Sequence, residues 1–207
     1  MIFRYRPQLA SIDQLAPGDI VGYSGDHWLS WIINIATYGV PWWGLSHIGI
    51  VGEYTFPGKT DPELLLFEST ESTSDLPCAI NGKPFRGSQA FHIGPRLQEY
   101  RGKVWHYPLY RPLYDFERVR LNKFLLDTLH TPYDEMGAFR SAGVGLSWIE
   151  GLLREQDLTS IFCSEMVMAA YSVVGLCATD NVSRWSPNRL VRHLRHHEIL
   201  RKRRRLK

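Results

Sequence analysis

Three residues have the types and the order needed for thiol chemistry: His47, Glu68 and Cys163. A cysteine attacks a carbonyl as its thiolate. It therefore needs a base to take its proton, and a histidine base is oriented by a neighbouring acid. Taken singly, each has an ordinary structural explanation. A lone cysteine at an apolar helical position is usually a small core residue. A strand histidine is usually satisfied locally, and Glu68 could be a strand-end charge. What they can do depends on the elements that carry them.

The stretch LTSIFCSEMVMAAYSVVG (158 to 175) predicts a helix over 160 to 174, stopped by Gly175 and capped by Thr159 or Ser160. Cys163 then sits in the first turn, where unpaired N–H groups and the helix dipole favour an anion. Cys163, Met166, Val167, Ala170 and Val174 share an apolar face, so the thiol points inward, towards a cleft. Glu165 lies about 200° around the helix and reads as structural. HIGIVGEY (47 to 54) and ELLLFES (63 to 69) predict two strands joined by the turn-rich FPGKTDP. A hairpin centred on Pro57-Gly58 places His47 opposite Glu68. Gly49, on the face of His47, leaves room for a close approach.

Other elements complete an α+β layout, a small antiparallel sheet with helices packed on it. APGDIVGYSG (16 to 25) predicts a turn and a buried strand, and AFHIGP (90 to 95) and KVWHYPL (103 to 109) predict further strands. Helices are predicted over 27 to 39, over 115 to 130, and after Ser186-Pro187, where serine caps and proline starts the helix. Residues 1 to 200 read as one domain and 201 to 207 as a basic tail. That tail, RKRRRLK, holds six of the 24 basic residues; without it, 18 basic residues face 21 acidic ones. Such a tail is expected to be solvated and flexible, with contact to an anionic surface as the lesser alternative.

The ordered set GDIVGYSG, SHIGIV, a strand ending in glutamate, and IFCSEMV resembles the YiiX/YebB-type hydrolases. These are circularly permuted relatives of the NlpC-type cell-wall peptidases within the papain-like fold. The resemblance rests on Gly18-Asp19, Ser46-His47-Ile48-Gly49-Ile50, Glu68 and Phe162-Cys163-Ser164-Glu165-Met166, and spans roughly residues 16 to 195. Pro132-Tyr133-Asp134 and the Ser186-Pro187 helix start resemble further family segments. Phe162 stands where the family commonly has tyrosine. The resemblance implies an antiparallel sheet or small barrel packed against helices, with the catalytic cysteine at a helix N-terminus. It implies a Cys163, His47, Glu68 triad working through an acyl-enzyme. The Cys163 N–H would be the first oxyanion donor, and Tyr23 and Ser24 are candidates for the second. The expected substrate is a peptide or peptidoglycan-type amide, with acyl-lipid ester chemistry as the alternative. No cofactor or metal is called for.

Competing roles are weaker. His193 and His197 have a spacing that can bind zinc, but without an HExxH arrangement they read as a solvated basic face. The three cysteines, Cys78, Cys163 and Cys177, are too few and scattered for a disulfide framework. The body lacks the aromatic-basic interleaving of a nucleic-acid module, so no specific nucleic acid is expected. The alternative of another class is a scaffold that uses the tail and the Trp-rich segment as a binding surface. No secretory signal is visible, which points to a cytoplasmic protein. The uncharged run between Asp26 and Glu53 is interrupted by Gly39, Pro41 and Gly44, and a helix, turn and strand fit it better than a membrane span. Trp28, Trp31, Trp42 and Trp43 leave an interfacial helix as a further alternative.

Overall fold

The computed structural model describes residues 10–25, 44–70, 76–132, 155–178 and 185–207. The helix expected over 27 to 39 with its tryptophans, and Tyr133 and Asp134, lie outside the described residues. Six strands form one antiparallel sheet: β1 (Ile20–Gly25), β2 (His47–Tyr54), β3 (Glu63–Thr70), β4 (Gly87–His92), β5 (Gly102–Tyr107) and β6 (Arg204–Arg205). Their spatial order is β4-β3-β2-β1-β5-β6. The sheet is open, with edges at β4 and β6, rather than a closed small barrel. The described helices are α1 (Ile93–Glu99), α2 (Asp115–Asp127), α3 (Glu155–Val174) and α4 (Pro187–His196). The class is α+β.

Strand alternation divides the sheet into two apolar faces. Ile48, Ile50, Leu65, Phe67 and Ala90 pack with Leu121, Leu125, Met166, Val167, Ala170, Tyr171, Leu190 and Leu194, so α2, α3 and α4 cover one face. Val21, Tyr23, Val51, Leu66 and Val104 pack with Ile93 and Leu97 of α1, with Leu206 against them. The predicted inward stripe on α3 is buried throughout. Gly52 shows how tightly the helical layer sits: a Cβ there would lie 2.6 Å from Leu125 Cδ1.

Three elements differ from expectation. The strand expected over 90 to 95 ends at His92, and Ile93 begins a helix. Pro95 falls in the first turn of α1, where a missing N–H is tolerated. The cysteine helix starts at Glu155, not at 160. Thr159 and Ser160 therefore lie inside the helix rather than at its start. Finally, the basic segment 201–207 is not a loose tail. Arg204 and Arg205 pair with His106 and Trp105 of β5, and Leu206 N–H donates to Val104 O at 2.9 Å. Arg203 stacks on the Trp105 ring at 4.1 Å, so part of its charge is laid over an aromatic surface.

Candidate active site

His47 opens β2 and pairs directly with Tyr23 of β1. Ser46 fixes this start: its N–H and Oγ both donate to Tyr23 O, at 2.9 and 3.2 Å. Between β2 and β3 the register runs Ile50 to Phe67. Carried on, it sets Gly49, not His47, across from Glu68, two residues from the expected pairing. An even slip keeps the face, so Glu68 and His47 still point the same way and meet diagonally. Gly49 makes the diagonal passable, because a Cβ there would stand 2.8 Å from Glu68 Cγ. The glycine expected to admit another backbone instead admits the acid side chain.

Glu68 is fully buried and has three partners. Oε1 accepts from Tyr23 Oη at 2.5 Å. Oε2 lies 3.0 Å from His47 Nε2 and accepts from Arg96 Nη2 at 2.8 Å and Nε at 3.2 Å. Burial alone would push this carboxyl up. The Arg96 guanidinium, and then His47, outweigh it and hold Glu68 far below the usual carboxylate range. A buried carboxylate with a charged donor and further hydrogen bonds is the arrangement in which such a charge survives.

The imidazole also hydrogen-bonds the Cys163 side chain. With Nε2 given to Glu68, Nδ1 is the nitrogen left for the thiol. Burial opposes a charged imidazole, but Cys163 and Glu68 together outweigh it and push His47 up to about 10. The acid and thiol come from opposite layers. Tyr23 belongs to the apolar cluster on the α1 side and Cys163 to the one on the α3 side. His47, at the very start of its strand, joins them. Its side chain is 14% exposed, whereas Cys163 has no exposed surface.

The segment around the Ser186-Pro187 helix start braces both halves. Asn188 Oδ1 accepts from Leu45 N–H at 2.7 Å and Nδ2 donates to Leu45 O at 3.0 Å, two residues before His47. Ser164, next to Cys163, donates its hydroxyl to Trp185 O. Ser186 caps α4 as expected, accepting from Arg189 N–H at 3.4 Å.

The structure therefore brings Cys163, His47 and Glu68 together, but it corrects the expected surroundings. Cys163 is the ninth residue of α3, in its third turn, so the thiol is not at a helix N-terminus. Its N–H lies where amides bond within the helix, which removes it as a ready-made oxyanion donor. Tyr23 is fully buried and its hydroxyl is committed to Glu68, so it does not serve as the second donor. Burial and the Glu68 charge hold its phenol in the neutral, donating form. Ser24 is buried on the opposite side of β1 from Tyr23 and carries no bond to the triad.

Arg96 and Asn188 were missed by sequence reasoning. A buried strand glutamate calls for a cation, and Arg96, four residues beyond β4, was the available signal. His106 is 1% exposed and has Nε2 2.7 Å from Asp19 Oδ2. The Asp19 carboxylate also accepts from the N–H groups of Ala16 and Leu109, which makes it a structural hub. His92 pairs with Glu63 at 2.7 Å, on the surface. The His193 and His197 rings lie 4.4 Å apart, and among the described residues no group of His, Cys, Asp and Glu is placed to hold a metal. No described helix is long and apolar enough to cross a membrane.

No protein-family model matches the chain. No curated protein matches it either.

Proposed function

We propose that this chain is a cysteine-dependent hydrolase of the peptidase or amidase type. Cys163 is the nucleophile, His47 the general base and acid, and Glu68 the group that orients His47. The observation that carries this is one imidazole in contact with both a thiol and an ionised buried carboxylate. The chain order His, acid, Cys and the packing of the thiol helix on an antiparallel sheet support a permuted NlpC-type, papain-like domain, to which the 201–207 segment adds an edge strand.

In the resting site Cys163 Sγ has passed its proton to His47, forming a thiolate–imidazolium pair, and the thiolate then adds to a substrate carbonyl. The tetrahedral intermediate collapses as His47 returns the proton to the leaving amine, which departs and leaves a thioester on Sγ. Water, deprotonated by His47, then adds to the thioester. Its collapse releases the acid and the thiol. Glu68 supports the imidazolium in both halves and, being locked ionised, does not itself take the proton.

Peptide and peptidoglycan-type amides are the proposed substrates. Purified cell wall, model peptides and acyl-ester vesicles, assayed side by side, test the bond type. We expect amide cleavage, with Cys163→Ala and His47→Ala each removing it while both variants still unfold cooperatively. Turnover that survives either substitution would overturn the assignment.

A further inference from the structure

Glu68 is faced by Tyr23 from β1, His47 from β2 and Arg96 from α1, with neutral Gln89 across β4. Cys163 reaches it through His47, and Glu99 through Arg96. Arg96 is thus the formal cation of the cluster. It is held by its ion pair to Glu99 at 2.8 Å and lies over the Phe91 ring at 4.8 Å. Yet α1 has only seven residues and no side-chain hydrogen bond at its N-cap. Its other end is fastened from outside: Lys207 Nζ donates to the carbonyls of Leu97, Gln98 and Tyr100, at 3.0, 3.1 and 2.8 Å. Those are carbonyls a short helix leaves without an internal partner, and a cation suits that pole. Lys207 is itself fixed, because Val104 N–H donates to Lys207 O at 3.1 Å.

We infer that Arg96 is a positioning residue of the thiol site, gripping Glu68 through two nitrogens so that it stays ionised against His47, and that the 203–207 segment, through Lys207, keeps Arg96 within reach. This rests on the hydrolase reading for its consequence in catalysis. The physical claim about Glu68 stands separately. With Arg96 in place, Glu68, His47, Arg96 and a Cys163 thiolate sum to zero charge. Without it the same set carries a buried negative charge, which is relieved by a proton on Glu68 or on the thiol. Either outcome reduces the thiolate–imidazolium pair at mildly acid pH.

The experiment compares the parent chain with Arg96→Met, Arg96→Lys, Lys207→Met and the Arg96→Met/Lys207→Met double variant. One readout is the carboxyl carbon resonance of Glu68 against pH. The other is the rate of Cys163 alkylation by iodoacetamide against pH. In Arg96→Met we expect Glu68 to titrate at least about one pH unit higher, and alkylation near pH 6 to fall ~10-fold or more. Arg96→Lys should recover part of both, since it restores charge without the two-nitrogen fork. Lys207→Met, on an exposed residue, should shift both in the same direction by a smaller factor, about 2- to 5-fold in rate, and add nothing to Arg96→Met. An unmoved Glu68 titration in Arg96→Met overturns the inference. If Arg96→Met does not fold, an unmoved Glu68 titration in Arg96→Lys does so. A Lys207→Met effect that adds in full to that of Arg96→Met overturns the strap. Cys163 inert in the parent chain, with Glu68 still shifting in Arg96→Met, sinks the hydrolase assignment and leaves the positioning role supported.

Discussion

A methyl group at position 49 would meet Glu68 Cγ at 2.8 Å and Phe67 O at 3.0 Å. The side chain would give before the backbone, so Glu68 would be pushed off its diagonal to His47. Gly49→Ala should therefore lower turnover by about 10- to 100-fold through misorientation alone, with a smaller change in KM. Steady-state kinetics beside a thermal melt checks it. His47 gives a second outcome at this scale. Its imidazole should stay protonated through neutral pH and titrate at about 10, and the value should fall in Cys163→Ala, which removes one of the two groups that raise it. Proton NMR of the ring reads this directly. Cysteine labelling supplies a third. Cys78 is as buried as Cys163, and burial pushes the Cys177 thiol up to about 11. Faster iodoacetamide labelling of Cys163 than of Cys78 thus isolates activation from access, and equal rates would remove the nucleophile assignment. At this scale the grouping of His47, Glu68 and Cys163 was legible, because strand parity sets His47 and Glu68 on one face. The partners of Glu68 were not legible. Tyr23 is a candidate oxyanion donor in the sequence, but a strand pattern fixes only a side, not which group on that side takes the hydroxyl.

Among the elements, strands were easier to foresee than helix ends. β2 begins and ends where its alternation does. Its pairing with β3 shifted by two because an eight-residue loop does not fix register, whereas parity is protected by the buried face. The start of α3 was misplaced because Thr159 and Ser160 are good caps yet also tolerable residues inside a helix, so their types alone do not mark its first turn. The Asp19 hub was only half visible: Gly18-Asp19 announced a turn, but its partner His106 is 87 residues away. Asp19 ties that turn to β5 and to Leu109, while Tyr171 of α3 donates to Gly18 O at 2.6 Å. Asp19→Ala would leave the buried Leu109 N–H, the part-buried Ala16 N–H and His106 without their acceptor, and should cost about 2 kcal/mol or more, measured by denaturant melts.

For the whole molecule, the ionised cluster makes stability depend on pH in a definite window. His47 is raised from 6.5 to about 10, so its contribution is complete below 6.5 and is lost as pH climbs through about 10. Glu68 is held far below 4.5, so its contribution is complete above 4.5 and is lost as acidity increases beyond it. Both are fully present between 4.5 and 6.5. Melting temperature against pH should accordingly slope down on the alkaline side, and His47→Gln should flatten that slope. The basic segment 201–207 taught a related lesson. Composition alone made it a solvated tail, but β5 offered an open edge and Trp105 an aromatic plate, and a run of arginines can use both. The strand position of His47, joining two layers of the molecule, also orders events in time. Tyr23, His47, Glu68 and Arg96 all leave the ribosome before Cys163, and the thiol meets its base only when α3 packs on the sheet, whose strands β1 to β5 all precede it in the chain. A nascent or partly folded chain therefore carries the base without the armed nucleophile. In the proposed hydrolase, reactivity would then appear only after that docking.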